Sequence, residues 1–320
     1  YYAAYTFMSK GSIHHNYERS LHCVGLGFND LVINAFKEAD CVICIGYHMV
    51  EYPPTRWHVG VDKKIIHIDI APAEVDQSYL PDLALIGDIG EILHEINLGL
   101  TDGCRKDTVY FQEQQENIEA DLDKDRDDDS FPMKPKRILR DIRATLNDED
   151  ILVSDVGAHK MWVARQYGAK LPKTVFISNG FCSMSGSLPG AMEAKRLYPE
   201  KNAVALCGDG GFMMGIQALV TGVEHRIPFV AIVWQDDHYG LIKWKQEIEF
   251  KRSSHVALHN PDLAELSRAY GCHGEHIASA DELKNQLSSA LSRKDKPTVL
   301  VVPVDYSENM KLVEHLREIV

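Results

Sequence analysis

The chain has 320 residues, which is enough for two compact domains that each bury a hydrophobic core. Hydrophobic residues make up 45% and charged residues 25%, a balance that is typical of globular proteins and excludes a fibrous or largely disordered chain. A net charge of −13 repels a phosphate backbone, and no apolar run reaches the roughly 20 residues that span a bilayer, so we expect no nucleic-acid and no membrane partner.

The first residues and the cysteines both predict a cytoplasmic protein. The start of the sequence lacks the basic flank and layout of a signal peptide. Seven cysteines form an odd set without the spacing of a disulfide framework. Cys182 and Cys207 stand among small or apolar residues, where a reduced thiol acts as a small hydrophobic side chain.

The first 100 residues alternate between helical and strand patterns. The hydrophobic periodicity predicts a helix over 30–37, strands over 39–46 and 63–70, and a last helix that ends near Gly99. Asp88 immediately precedes this last helix, where its carboxylate is expected to cap the first turn. We therefore predict one α/β domain at 1–100.

Residues 101–130 contain no sustained apolar stripe. The acidic run at 121–129 is too charged for a core element, and it lacks the turn glycine and closing glutamate of an EF-hand loop. This pattern predicts a solvated acidic linker at 101–130, with a domain boundary near Phe131.

A second series of alternating elements fills 131–320. Helices are predicted over 135–146, from 158, and over 186–196, 212–225, 262–270 and 281–293, with strands over 150–154, 174–178, 203–207, 229–234 and 298–303. The last strand is almost wholly apolar, as in parallel sheets that are buried on both faces. The predicted fold class is α/β, with two doubly wound units whose parallel sheets are flanked by helices.

The motif with the clearest chemical meaning is Gly208-Asp209-Gly210-Gly211, which joins an apolar strand to a helix. Glycines let the backbone approach a phosphate closely, and free amides at a helix start attract its oxygens. A carboxylate beside a diphosphate is repelled unless a divalent cation lies between them, so Asp209 is predicted to bind magnesium. Alone, Gly-Asp-Gly is a weak signal that more often marks a tight turn.

A second carboxylate strengthens this interpretation. Asp236 follows the next predicted strand and lies 27 residues after Asp209. One βαβ step brings the carboxyl ends of neighbouring parallel strands side by side, where ligands bind in such sheets. We therefore expect Asp209 and Asp236 to share one ion.

The span from Gly208 to Gly240 resembles the diphosphate-binding motif of thiamine-diphosphate enzymes, in which Gly-Asp-Gly is followed about one βαβ step later by Asn-Asn or a close variant. The resemblance implies that magnesium is bound by Asp209, Asp236 and the main-chain carbonyl of His238, with water and diphosphate oxygens completing an octahedron. Gln235 departs from the motif at a position that is not an expected ligand. The cofactor-binding residues implied within this span are Gly208, Gly210, Gly211 and Tyr239.

Two further segments resemble the same family. Residues 154–162 are similar to the loop that holds the diphosphate from the opposite side, which implies that Gly157, Ala158 and His159 contact the cofactor. Residues 178–191 are similar to the stretch in which Met184 would be the apolar wedge beneath the bent cofactor, a gap that a flexible thioether fills well. Taken alone, His159 is more typical of a surface helix start, and Met184 of ordinary core packing.

The subfamily is indicated outside the cofactor motifs. Residues 304–309, Val-Asp-Tyr-Ser-Glu-Asn, are similar to the tail of catabolic-type acetolactate synthases, and 39–57 and 65–88 resemble their middle domain. This resemblance implies a partial middle domain at 1–100 and a diphosphate- and magnesium-binding domain at 131–320. No segment resembles the pyrimidine-binding domain that carries the activating glutamate, so we expect no catalytic residue in this chain and no activity of the chain alone.

The resemblance implies an enzyme with thiamine diphosphate and Mg²⁺ as cofactors, which converts two pyruvate to 2-acetolactate and CO2. Its expected partners are pyruvate or another small 2-keto acid and the pyrimidine-binding domain of a second subunit, hence a homo-oligomer. Residues 239–246 depart from the catabolic pattern, which leaves the keto acid open. The alternatives are another thiamine-diphosphate carboligase or keto-acid decarboxylase, or a non-catalytic association module.

Overall fold

The structure, a computed structural model, describes residues 1–25, 31–58, 62–100 and 109–309. The strands are β1 (Ala3–Tyr5), β2 (Ser20–Cys23), β3 (Cys41–Ile45), β4 (Lys64–Asp69), β5 (Leu83–Ile86), β6 (Ile151–Ser154), β7 (Val175–Ile177), β8 (Ala203–Gly208), β9 (Val230–Gln235), β10 (His273–His276) and β11 (Thr298–Pro303). The helices are α1 (Leu31–Glu38), α2 (Pro54–Trp57), α3 (Ile89–Gly99), α4 (Val109–Asp123), α5 (Pro135–Thr145), α6 (Ala158–Gln166), α7 (Ser187–Leu197), α8 (Asp209–Gly215), α9 (Ala218–Glu224), α10 (Gly240–Phe250), α11 (Leu263–Ala269) and α12 (Ala280–Ser292). In these ranges the sheets contain parallel pairs only and carry flanking helices, which confirms the predicted fold class.

The first unit is built on a three-stranded sheet in the order β3-β4-β5. Helix α3 follows β5, and the Asp88 carboxylate accepts a hydrogen bond from the Glu91 amide at 3.0 Å, as the capping prediction requires. The helix predicted over 30–37 is α1, although its proposed first residue, Asp30, lies outside the described residues.

Helix α4 occupies much of the segment that was predicted to be a linker. Its Ile118 is buried in the same hydrophobic cluster as Val32 and Ile33 of α1, so the part of the segment before the acidic run contributes to the core. The sequence pattern is weak because Ile118 is the one apolar side chain of α4 that is fully buried. Residues 101–108 of the proposed linker lie outside the described residues, and its boundaries remain predictions.

The acidic run neutralises arginines of the second unit. Asp121 pairs with Arg165 at 2.8 Å, and further carboxylates of the run pair with arginines of α5. The latter pairs are Asp127 with Arg140 and Asp129 with Arg137. The run therefore makes ion pairs with the second unit, and its assignment as a solvated linker stays a prediction.

The second unit is built on a six-stranded sheet in the order β10-β11-β9-β8-β6-β7. Side chains of β8, β9 and β11 alternate between two buried clusters on opposite faces, as the apolar sequence of β11 predicts. Gly208 at the end of β8 stands in register with Trp234 of β9. The segments that follow these two strands therefore begin at the same edge of the sheet.

Two details of the second unit differ from the sequence prediction. The helix predicted over 212–225 is divided into α8, which begins earlier, and α9, with Ile216 and Gln217 between them. Helix α10 was not predicted, although Leu241, Trp244 and Ile248 follow helical spacing and pack against the core. Strand β10 was not predicted either.

The start of the chain packs against the second unit. The buried Lys10 ammonium donates a hydrogen bond to the Ala164 carbonyl at 2.7 Å, and the His15 amide donates to the Ala169 carbonyl at 3.0 Å. The His15 ring lies 4.9 Å from the ring of His22. No helix within the described ranges has the length and apolar character of a membrane span.

The buried His22 is expected to make the fold sensitive to acid. Its side chain is 4% exposed, and burial, reinforced by His15 and Lys10, lowers its pKa to about 3. The unfolded chain binds this proton near pH 6.5, so the stability present above that pH falls by up to about 3 kcal/mol as the pH drops to 4. Asn tolerates the positive φ of 61°, so His22→Asn should flatten this decline in urea unfolding curves. An unchanged slope in the variant would contradict the assignment.

Candidate cofactor and metal site

Asp209 is a buried carboxylate that directly follows β8. Its side chain accepts hydrogen bonds from the amides of Gly210 and Asp237 and from the Asn260 Nδ2, each at 2.8 Å. Burial raises its pKa, while these donors oppose the rise. Since a carboxylate has about four acceptor positions and these donors use three, one position remains for a cation.

Asp236 stands at the equivalent place after β9. Burial and then the nearby Asp209 charge raise its pKa to about 7. Two neighbouring carboxylates repel each other when both are ionised, and a divalent cation between them offsets this repulsion. This electrostatic coupling agrees with the predicted shared ion.

The loop after β9 is held in an unusual conformation. Asp237 has a φ of 54°, and its side chain accepts hydrogen bonds from the Gln235 Nε2 and the Asn260 Nδ2, both at 2.8 Å. The His238 Nδ1 contacts the Asp236 carbonyl at 2.6 Å. These contacts fix the conformation of the loop and therefore the position of the His238 carbonyl, which is the predicted third ligand.

The glycines of the motif make room for neighbouring groups. A Cβ on Gly210 would lie 2.9 Å from the ring of Tyr239, and a Cβ on Gly211 would lie 2.2 Å from the Asp155 Oδ2. The Asp155 carboxylate in turn accepts hydrogen bonds from the amides of Ser185 (2.8 Å) and Gly186 (3.1 Å). The motif thus contacts the loop that carries Met184, which is half-buried beside Ser185.

His159 is buried rather than a surface residue, which favours the interpretation that its family resemblance implies. Its ring lies 2.7 Å from the place of a Cβ on Gly157 and 3.5 Å from that of Gly208. Burial lowers the pKa of His159 to about 3, so the ring is neutral. Its Nε2 has no hydrogen-bond partner among the described residues. A buried nitrogen of this kind next to two glycines fits a polar ligand.

Ala158 approaches the second carboxylate. A Cβ on Gly240 would lie 3.0 Å from the Asp236 Oδ2 and 3.7 Å from the Ala158 Cβ. The start of α6 and the loop after β9 therefore face each other across the end of β8. Among the described contacts, none joins the Met184 side chain to another residue of the predicted site.

These residues fit a diphosphate with a divalent cation. The half-buried Gly208 leaves space beside His159 for the close approach of an anion, and two carboxylates at the same edge supply oxygen ligands. Across the described ranges, no three side chains of His, Cys, Asp or Glu converge as a metal site. A cation here would depend on the His238 carbonyl and on oxygens of the cofactor.

Sequence reasoning missed two residues of this site. Asp155 lies within the segment 154–162 but received no predicted role, and Asn260, which lies 51 residues after its partner Asp209, was not predicted. One signal for Asp155 was its position directly after an apolar strand, where polar residues reach the same sheet edge. For Asn260 the sequence carries no local signal.

Asn260 is expected to support magnesium binding without contacting the ion. Its Nδ2 joins Asp209 to Asp237 with two bonds of 2.8 Å. Loss of such a supporting partner typically weakens metal affinity by about 10- to 100-fold, which we expect for Asn260→Ala in a magnesium titration with thiamine diphosphate present. A matched control is Asn202→Ala, whose amide contacts Asp150 at 3.1 Å near the opposite end of β8. Equal losses in both variants would contradict this role.

Two protein-family models match the chain. Residues 2–96 match the central domain of thiamine pyrophosphate enzymes, and residues 155–302 match their C-terminal thiamine pyrophosphate binding domain. The second match contains the glycines, carboxylates and histidine described above. The chain belongs to the thiamine pyrophosphate enzymes, which confirms the resemblance inferred from the span Gly208 to Gly240.

Within this family the chain is similar to acetolactate synthases. It is 32% identical over 284 residues to the acetolactate synthase of Bacillus subtilis (strain 168), covering 86% of this chain and 49% of that protein. It is also 32% identical over 310 residues to the catabolic acetolactate synthase of Raoultella terrigena, covering 94% and 54%. A putative thiamine pyrophosphate-containing protein of the same Bacillus strain is 26% identical over 303 residues, covering 93% and 51%. The chain spans about half the length of these relatives.

Proposed function

We propose that this chain holds the diphosphate and the magnesium ion of thiamine diphosphate in an enzyme that condenses two pyruvate into 2-acetolactate and CO2. The observation that carries the proposal is the buried Asp209, held by three donors at one sheet edge with Asp236. A purely structural module gains nothing from two carboxylates that repel each other there. The similarity to two acetolactate synthases supports the reaction.

The proposed ligands of magnesium are Asp209, Asp236 and the carbonyl of His238. Main-chain amides near Gly208, Gly210 and Gly211 approach the diphosphate, and Gly157, Ala158 and the neutral His159 contact it from α6. Tyr239 stands over Gly210, and Met184 supports the bent cofactor from below. When bound, the thiazolium of the cofactor is the electron sink for the departure of CO2.

The glutamate that activates the cofactor is proposed to come from a pyrimidine-binding domain of a second subunit, as the family resemblance implies. The active protein is then at least a homodimer. The residues of this chain position the cofactor, and pyruvate is the proposed substrate.

A second candidate is another carboligase or a keto-acid decarboxylase that uses the same cofactor. It is favoured by α10, whose Tyr-Gly-Leu-Ile-Lys-Trp-Lys-Gln sequence at 239–246 departs from the catabolic pattern beside the metal motif. The similarity to a putative thiamine pyrophosphate-containing protein leaves room for such a reaction. Products separate the two candidates.

The test is a chimera in which this chain replaces the matching half of the Bacillus acetolactate synthase. With pyruvate, thiamine diphosphate and magnesium, we expect 2-acetolactate, measured as acetoin after acid decarboxylation, and none from the Asp209→Ala chimera. Free aldehyde in place of acetolactate would support the decarboxylase. A folded chimera that does not bind the cofactor would support an association module.

A further inference from the structure

Lys160 is a buried amine beside the loop that carries Met184. It lies in α6 with 6% of its surface exposed, and its Nζ donates to the Asn179 Oδ1 at 2.8 Å. The Phe7 ring lies 5.6 Å away on another side. Burial is the main cause that lowers the pKa of Lys160, which increases the share of neutral amine. The side chain is therefore held in one place, with its amine close to the Asn179 loop.

Cys182 presents its sulfur to this amine. Its Sγ lies 3.7 Å from the Lys160 Nζ and 3.2 Å from the Asn179 carbonyl. The prediction that Cys182 is a small hydrophobic side chain is wrong, because the residue is exposed, whereas Cys207 is buried as predicted. The backbone of Cys182 has a φ of 54°, so the loop directs the thiol in a conformation that few residues adopt.

We propose that Lys160 and Cys182 form an oxidant-sensitive pair that becomes joined by a covalent sulfur–nitrogen bond. Hydrogen peroxide first oxidises the thiol, so that the thiol and one peroxide molecule give a sulfenic acid and water. The neutral amine of Lys160 then attacks the sulfur and displaces the hydroxyl, which leaves as water with one proton of the amine and yields a Cys–S–NH–Lys link. The peroxide is reduced and the sulfur oxidised by two electrons, and a thiol reductant reverses the link.

The bond would fasten two parts of the cofactor site to each other. Helix α6 begins at Ala158 beside His159, while the loop continues from Cys182 through Met184 to the amides held by Asp155. A cross-link at Lys160 therefore restrains the loop against α6 in the oxidised protein. It also prevents further oxidation of Cys182 to the irreversible sulfinic acid. Neither step depends on the proposed carboligase activity.

Mass spectrometry of the peroxide-treated chain tests this inference. We expect a joined peptide pair that contains Lys160 and Cys182, lacks two hydrogens relative to the separate peptides, and disappears after treatment with dithiothreitol. Cys41, an exposed cysteine of the same chain, serves as the internal control and should give ordinary oxidation products without this partner.

Two variants separate the steps. Lys160→Arg keeps the positive charge but removes the primary amine, so Cys182 should accumulate as sulfenic acid that dimedone traps. Cys182→Ser, at an exposed position, should abolish the joined peptide without loss of folding. Recovery of wild-type Cys182 as sulfinic acid without the joined peptide would overturn the inference. So would an unmodified Cys182 at peroxide concentrations that oxidise Cys41.

Discussion

Gly211→Ala is expected to lower the free energy of unfolding by about 1–3 kcal/mol, although it adds a single methyl group. The new Cβ would stand 2.2 Å from the Asp155 Oδ2, a distance that forces one group to move. Asp155 is buried, and its carboxylate accepts hydrogen bonds from the Ser185 and Gly186 amides. Displacing it breaks both of these hydrogen bonds, each of which contributes about 1 kcal/mol to stability.

Two other glycines supply controls for this change in urea or thermal unfolding. Gly210→Ala meets the edge of the Tyr239 ring, which is able to turn away, so a smaller loss is expected. Gly99→Ala meets no atom within 4 Å and lies in α3, where alanine is favoured over glycine, so stability should stay equal or rise. A Gly211→Ala chain as stable as the Gly210→Ala chain would contradict the described contact with Asp155.

Asp209→Ala is expected to lower the magnesium-dependent affinity for thiamine diphosphate by more than about 100-fold, beyond the loss typical of a merely supporting residue. The carboxylate is 1% exposed and is held by three donors, so no other side chain takes its place easily. Its neighbour Asp237 provides the matched control, because its exposed side chain contacts the same Asn260 but is not a proposed ligand. Asp237→Asn, which keeps a side-chain oxygen for the hydrogen bonds that Asp237 accepts and tolerates the φ of 54°, should bind the cofactor within about 10-fold of wild type.

Much of the second unit was predictable because its elements follow simple rules. The strand predicted over 298–303 has the same bounds as β11. An unbroken apolar run between polar segments is typical of a strand that is buried on both faces of a parallel sheet. The adjacency of β8 and β9 followed from one βαβ step, and it brings Asp209 and Asp236 to one edge. The cap at Asp88 was likewise a local property of the sequence.

Other features depend on contacts that no local pattern reveals. Helix α4 is stabilised by the packing of Ile118 against α1 and by the ion pair of Asp121 with Arg165. Neither contact is visible in its charged sequence, which therefore resembled a linker. Gly215 at the end of α8 packs against Ser185 of a loop earlier in the chain. Asn260 reaches Asp209 only through the folded chain. Tertiary packing decided each of these cases.

Calorimetric titration of the chain with thiamine diphosphate, with and without magnesium, tests the proposed half-site most directly. The account predicts binding that requires both magnesium and Asp209, and that therefore disappears without the metal and in Asp209→Ala. Absence of binding to the wild-type chain, or binding that is indifferent to both the metal and the substitution, would contradict the assignment of Asp209 and Asp236 as magnesium ligands.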